Sequence, residues 1–226
     1  MTMTDSKTWK AQVRTRAIER RTGMDPESKR QMDAAINQQL EAALLEVLSN
    51  CVIGFCWPFK NEFDQRFLMR KLRERGAHTA LPIVVKKAHP MIFRIWTPGV
   101  PMVRGVFDIP VPADTPEVVP DVVFPPLNAF DDAAFRLGYG GGFFDRTLAS
   151  FEPRPLAVGI GYEEQRVATI HPTEYDLPMD LIVTEANIYR RVDGHTVPIS
   201  TGECASAVGE LLRRRGLPRP QSNLEC

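Results

Sequence analysis

Six short apolar or β-branched runs, at 52–56, 80–85, 93–96, 121–124, 156–160 and 181–184, punctuate the chain and are separated by turns or helical stretches. The runs are continuous rather than alternating, the pattern of strands buried on both faces; a half-exposed strand would repeat every second residue. They predict an α/β fold whose mostly parallel sheet is covered on both sides. In open sheets of this kind ligands gather beyond the carboxyl ends of the strands. Trp57 to Glu62, after the 52–56 run, and a glycine-rich run downstream of 121–124 both fall in such positions, so the two segments are expected to share one cleft.

The remaining segments read more simply. Residues 7–21 carry Trp9, Val13, Ala17 and Ile18 at helical spacing among many Arg and Lys, which predicts a short helix with a strongly basic face. Arg16, Arg20 and Arg21 fit a solvated face as well as they fit a ligand-facing one. Asp25, Pro26 and Glu27 supply an N-cap, a first-turn proline and a dipole-matching acid for a second helix to about residue 48, with Met32, Ile36, Leu40, Leu44 and Leu48 as its apolar stripe. A third helix is expected over 65–75, stopped by Gly76. Residues 97–120 hold many of the 19 prolines and almost no helical periodicity, so they are expected to form a long ordered loop over one sheet edge and a substrate wall. A helix is expected over 204–215, with a basic Arg213-Arg214-Arg215 end that suits a helix C-terminus.

Chemistry concentrates at residues 136–146, Arg136-Leu137-Gly138-Tyr139-Gly140-Gly141-Gly142-Phe143-Phe144-Asp145-Arg146, where four glycines within five positions precede two aromatics and a carboxylate. Glycines let backbone N–H groups approach an oxyanion, a following helix start adds unpaired donors, and an adjacent aspartate can hold a divalent cation against phosphate. The run is neither a Walker loop nor a dinucleotide fingerprint, since no Gly-Lys-Ser/Thr follows and Phe143 takes the place of a third glycine. A plain glycine-rich surface turn remains the alternative on spacing alone. Lys plus Arg equals Asp plus Glu at 28 each, which removes the electrostatic ground for nucleic-acid or membrane-surface binding. No stretch approaches the roughly 20 apolar residues of a membrane span. The four cysteines, Cys51, Cys56, Cys204 and Cys226, have neither zinc-site spacing nor disulfide density, so buried thiols, a reducing cytoplasm and a chain neither exported nor anchored are expected.

The run 136–146 resembles the signature of the 5-formyltetrahydrofolate cyclo-ligase family, and further residues agree in order and spacing over about 7–185. Lys10 and Arg14 resemble the family's basic nucleotide contacts. Trp57 and Glu62 fall where the family holds its folate, and Phe107-Asp108-Ile109-Pro110 resembles a segment near the substrate. Residues 126–131 resemble the strand end leading into the glycine loop, and Tyr175-Asp176 resembles a second metal-site aspartate. The resemblance implies a three-layer α/β/α sandwich of the type shared with certain sugar-phosphate isomerases and coenzyme A transferases. It also implies an ATP- and magnesium-dependent ligase acting on a small-molecule substrate, and a monomer is expected.

On that basis ATP is expected at Lys10, Arg14, Arg136, Leu137, Gly138, Tyr139, Gly140, Gly141, Gly142, Phe143 and Phe144. Trp57, Glu62, Phe107, Tyr139 and Phe143 are expected to hold the folate, Asp145 and Asp176 the Mg²⁺, and Asp145 with Arg136 to serve catalysis. Asp131 and Asp132 read as turn residues, and His171, beside Pro172, as a structural histidine. The family usually carries tyrosine where this chain has Phe144, and residues 186–226 extend past the resemblance without an assigned role within a single domain of 1–226. Two other functions fit the same residues: a paralogue that binds nucleotide but acts on another heterocycle, and a non-catalytic folate- or nucleotide-binding protein.

Overall fold

The computed structural model describes residues 3–220, with the side chains of Met3, Thr4 and Phe107 outside that description. Helices α1 (Met3–Thr22) and α2 (Pro26–Leu44) lead into strand β1 (Val52–Phe55), helix α3 (Arg66–Glu74) and strands β2 (His78–Ile83) and β3 (Ile92–Ile95). Short strands β4 (Met102–Arg104), β5 (Pro110–Pro112) and β6 (Glu117–Val118) precede β7 (Val122–Phe124), β8 (Ala129–Asp131) and β9 (Arg136–Leu137). Helix α4 (Phe143–Ser150), strands β10 (Leu156–Ile160), β11 (Arg166–Val167), β12 (Leu181–Val183), β13 (Ile188–Val192) and β14 (His195–Ile199), and helix α5 (Thr201–Arg214) follow.

Nine strands form one sheet in the order β14-β13-β12-β10-β7-β1-β2-β3-β6. The five central strands, β12 to β2 in that order, run parallel, and antiparallel strands are added at both sides. Within each parallel strand alternate side chains enter opposite cores. Ile53, Phe55, Val122, Phe124, Leu156, Val158, Leu181 and Val183 meet α2, α3 and α5 through Ile36, Leu40, Leu44, Leu68, Leu72, Cys204 and Val208. Val52, Val123, Ala157 and Ile182 face the other way, toward Leu148 of α4 and Phe130 of β8. Both faces are thus apolar, which is why the runs do not alternate in sequence. The expected α/β/α sandwich is present; its second outer layer consists of α4, the small sheet β11-β8-β9 and, against that sheet through Val13, the helix α1.

A local signal sets the start of α2. The Asp25 side chain accepts from Ser28 N–H to cap α2 as expected, while helical geometry stops at Leu44 and turns carry Leu48 into the core. The stretch 97–120 departs from expectation: it holds a two-stranded ribbon, β4 with β5, and the edge strand β6. An edge ribbon tolerates prolines because half of its backbone groups need no ladder partner, so Pro110 and Pro112 did not preclude pairing. Among the described residues no helix is long and apolar enough to cross a membrane. Cys51 and Cys204 are buried free thiols, burial pushing them up to about 12 and about 11; Cys226 lies outside the described residues.

Residues 186–220 build part of the sheet and its covering layer. The β13–β14 hairpin extends the sheet, and α5 opens on a reciprocal cap in which Ser200 N–H donates to Glu203 at 2.8 Å and Glu203 N–H to Ser200 at 3.3 Å. Its end is pinned by Arg215, which donates to both oxygens of Asp180 at 2.6 and 3.0 Å, while Asp180 also accepts from Ala157 N–H at 2.8 Å. Asp180→Ala strips partners from a half-buried guanidinium and a strand amide together, and is expected to lower unfolding free energy by about 2–3 kcal/mol. An unchanged urea midpoint would show that α5 docks through its apolar face alone.

Candidate active site

A cavity of about 630 Å³ opens beyond the ends of the central strands and brings together the two segments expected to share a cleft. Its lining includes Lys10 and Arg14 of α1, Trp57 and Glu62 after β1, and Arg136 through Asp145. The ribbon β4–β5 contributes Val106, Ile109, Pro110 and Val111, so the proline-rich stretch does form a wall. The glycine loop does not follow β7 directly; β8 and β9 intervene and deliver it alongside α1.

The loop's backbone requires glycine at two points. Gly140 has φ of +94° and Gly142 of +62°, and a Cβ on Gly140 would lie 3.3 Å from the Arg14 guanidinium carbon. Gly142 caps α4 with no side-chain hydrogen bond, so the helix presents its first N–H groups uncapped by any side chain. Arg14 fixes the loop from above, donating from Nε to the Gly138 carbonyl at 2.8 Å. Burial lowers its affinity for the proton and Asp176 restores part of it. Leu137 lines the cavity but sends its side chain toward Ala129 and Ile170.

Arg136 is a buried cation short of partners. It is 6% exposed, donates only a 3.3 Å bond to Asp145, leaves Nε without a partner, and lies over the Phe144 ring at 5.6 Å. A buried guanidinium short of acceptors beside uncapped amides is set up to receive an oxyanion. Asp145 accepts from Leu177 N–H at 3.2 Å through its other oxygen. Asp176 pairs with Lys10 at 3.5 Å and also accepts from Thr173 N–H and its hydroxyl at 2.7 and 2.9 Å, so it closes a turn as well as facing the cavity. Among the described residues no three metal-ligating side chains gather. That donor set still fits magnesium, which commonly takes one or two carboxylates and completes its shell with water and substrate phosphate.

Another part of the lining is built from the Trp57–Glu62 loop. Trp57 stands edge-on to Trp96 at 5.6 Å with the Arg66 guanidinium over it. Glu62 accepts from Phe59 N–H at 3.0 Å and from the Tyr139 hydroxyl at 2.5 Å. Burial raises its carboxyl above the ordinary range, opposed by the Tyr139 bond and by the charge of Arg21. Phe143 lines the cavity under Arg146, at 5.5 Å. The Phe107 side chain lies outside the described residues, and its backbone sits in a short 3-10 turn between β4 and β5.

Arg21 corrects the reading of α1 as a helix with a solvated basic face at that position. It is 1% exposed and donates to the Lys60 carbonyl at 2.8 Å, Asn128 Oδ1 at 3.2 Å and the Tyr139 hydroxyl at 3.0 Å. Its own carbonyl accepts from Asn61 Nδ2 at 2.7 Å. Lys60 and Asn61 sit at φ of +49° and +61°, a costly pair for residues with a Cβ, and these bonds hold them there. A signal was available in the sequence. On a helical projection Arg21 falls within about 20° of Lys10 and of Arg14, whereas Arg16 and Arg20 point elsewhere and are exposed. Asp131 is a turn residue as expected, accepting from Ala133, Phe135 and Ile170 N–H groups, and His171 packs edge-on against Trp9 at 4.8 Å.

A model of the 5-formyltetrahydrofolate cyclo-ligase family matches residues 6–185. The chain is 29% identical over 180 residues to a 5-formyltetrahydrofolate cyclo-ligase of Haemophilus influenzae, covering 76% of this chain and 96% of that protein. It is likewise 29% identical over 182 residues to the Escherichia coli K12 protein of that name, covering 76% and 97%. Among solved structures, the NMR structure of Aquifex aeolicus 5,10-methenyltetrahydrofolate synthetase is similar with a TM-score of 0.70 at 26% identity, covering 84% of this chain and 96% of that one.

Arg136→Met tests whether the buried guanidinium serves a ligand or the fold. Magnesium tripolyphosphate is expected to raise the thermal midpoint of the parent by mass action and to leave the variant's unmoved, with ligand-free stability within about 1 kcal/mol of the parent. A loss near 3 kcal/mol with the tripolyphosphate response intact would make Arg136 a structural residue.

Proposed function

Because the chain belongs to the 5-formyltetrahydrofolate cyclo-ligase family, we propose that it closes 5-formyltetrahydrofolate to 5,10-methenyltetrahydrofolate by coupling ring closure to ATP cleavage. The observation that carries the coupling is Arg136, buried and short of acceptors in a cavity that also holds the glycine loop and Glu62. An amide-like formyl oxygen is a poor leaving group. Transfer of the terminal phosphoryl of ATP onto that oxygen converts it into one, nitrogen-10 attacks the activated carbon with loss of its proton, and the C–O bond breaks to release phosphate. Phosphoryl transfer asks mainly for positioning and charge stabilisation.

In this reading Lys10 and Arg14 neutralise nucleotide charge, the backbone of Gly138 to Gly142 with the start of α4 receives the phosphates, and Arg136 meets the charge that develops on the transferring group. Asp145 and Asp176 would hold magnesium, which when bound offsets phosphate charge. Glu62 accepts from the amino and ring N–H donors of the pterin, with Trp57 and Phe143 as apolar flanks. The whole chain is read as one domain and one working copy in a reducing cytoplasm. Support for the single domain comes from α5 packing on α2 in the shared core.

Incubating the purified chain with 5-formyltetrahydrofolate, ATP and magnesium is expected to generate the methenyl chromophore, and its absence under these conditions would defeat the reading. Asp145→Asn is expected to cut turnover by on the order of a hundredfold with the thermal midpoint preserved. Near-parental turnover at limiting magnesium would exclude a metal role for Asp145. Phe144 lines the cavity beneath Arg136, where a hydroxyl on the ring could reach ligand. Phe144→Tyr is therefore expected to raise turnover, at most about tenfold, at unchanged midpoint. Loss of stability without gain would favour a pocket rebuilt for a different heterocycle.

A further inference from the structure

Arg21 does not line the cavity, yet it bonds to Lys60 and Tyr139, which do. From its Nη2 runs a short chain: Arg21 to the Tyr139 hydroxyl at 3.0 Å, Tyr139 to Glu62 Oε1 at 2.5 Å, with Arg21 itself 3.8 Å from that same oxygen. From its Nε and its backbone carbonyl it clamps Lys60 and Asn61, the two left-handed residues that turn Glu62 into the cavity. Asn128, fully buried, takes its third nitrogen and fixes the plane of the guanidinium. No single acceptor explains so complete a set of bonds, since Arg supplies a rigid fork of donors that a lysine cannot reproduce.

We propose that Arg21 is a positioning residue for the folate end of the reaction: it holds the Glu62 carboxylate, through the Tyr139 hydroxyl and the left-handed turn, in the orientation that receives the pterin. The assignment rests on the reading of Glu62 as the folate contact. It separates Arg21 from Lys10 and Arg14, which lie on the same side of α1 but bond to the phosphate end.

A purely structural Arg21 would change stability and enzyme concentration alike for both substrates. A positioning Arg21 acts on one. Arg21→Lys is therefore expected to raise the KM for 5-formyltetrahydrofolate at least tenfold while the KM for ATP stays within about twofold. The second readout is the acid limb of kcat/KM for the folate. The titratable groups facing Glu62 are Arg21 from α1, Tyr139 from the glycine loop and Cys56 at the end of β1. Burial pushes the phenol and the thiol upward, away from the acid range, so within this group Glu62 is the one left to titrate on the acid limb, and a shift specific to the Arg21 variants reports it. Arg21 favours the carboxylate, and its removal raises the folded-state value further, so the limb moves to higher pH in Arg21→Met.

If Arg21→Met does not fold, Tyr139→Phe severs the same chain at its solvent-facing end and is expected to move the limb in the same direction. Parental folate KM in Arg21→Lys together with an unmoved limb in either other variant overturns the assignment. So does an equal rise in both KM values. A parent chain that forms no chromophore defeats the functional reading beneath it, whereas an active parent with unmoved variants defeats this assignment alone.

Discussion

A single buried cation organises the reactive end of this molecule. Arg21 leaves helix α1 almost fully desolvated, an arrangement that is unfavourable unless its nitrogens find acceptors, and each of the three does so on a separate chain segment: the turn after β1, the residue before β8 and the aromatic within the glycine loop. Helix α1 has little apolar surface of its own, Val13 being its part in the small cluster with Ala129, Leu137 and Ile170. Its docking therefore depends on charge: Lys10 to Asp176, Arg14 to the Gly138 carbonyl, and Arg21 at the far end. Lys10, Arg14, Asp176, Gly138, Lys60 and Tyr139 all line the cavity, so the helix is held by the very groups that shape the site.

The division of labour in the fold follows from this. Stability resides in the parallel strands, whose alternate side chains enter two apolar cores, and in α5, which closes one of them through the Arg215–Asp180 pair. The cavity end carries the exceptions to good packing and pairing: left-handed Lys60 and Asn61, a glycine loop in conformations closed to other residues, a carboxyl raised by burial and a guanidinium with an idle nitrogen. Strain and unmet polar groups concentrate where a ligand can relieve them.

The sequence is legible where one physical rule dominates. Strand positions declare themselves because burial on both faces admits only apolar side chains, and the Asp25 cap and the glycine loop because backbone geometry admits few residues there. Lys10, Arg14, Trp57, Glu62 and Asp145 are brought to one cavity, as expected of them. Legibility fails where two rules compete. A charge run on a helix is ordinarily solvated, and only the tertiary acceptors supplied by Lys60, Asn128 and Tyr139, remote in sequence, make Arg21 an interior residue. Prolines at 110 and 112 argue against strand, yet a ribbon with one unpaired edge accommodates them. Asp176 looks like a ligand by its neighbours, while its bonds to Thr173 show that it also serves its own turn.

The sheet's two margins carry a consequence for behaviour in a crowded solution. One margin is β6, only Glu117–Val118, and the other is β14, where Pro198 lacks the amide that an approaching strand would need. Short or proline-bearing margins give a foreign chain little to pair with, which protects a mixed sheet of nine strands from growing by accretion. The hairpin that the chain adds beyond residue 185 therefore does more than widen the sheet. It covers the margin of β12, whose three residues are buried and apolar, with a final strand unsuited to further addition.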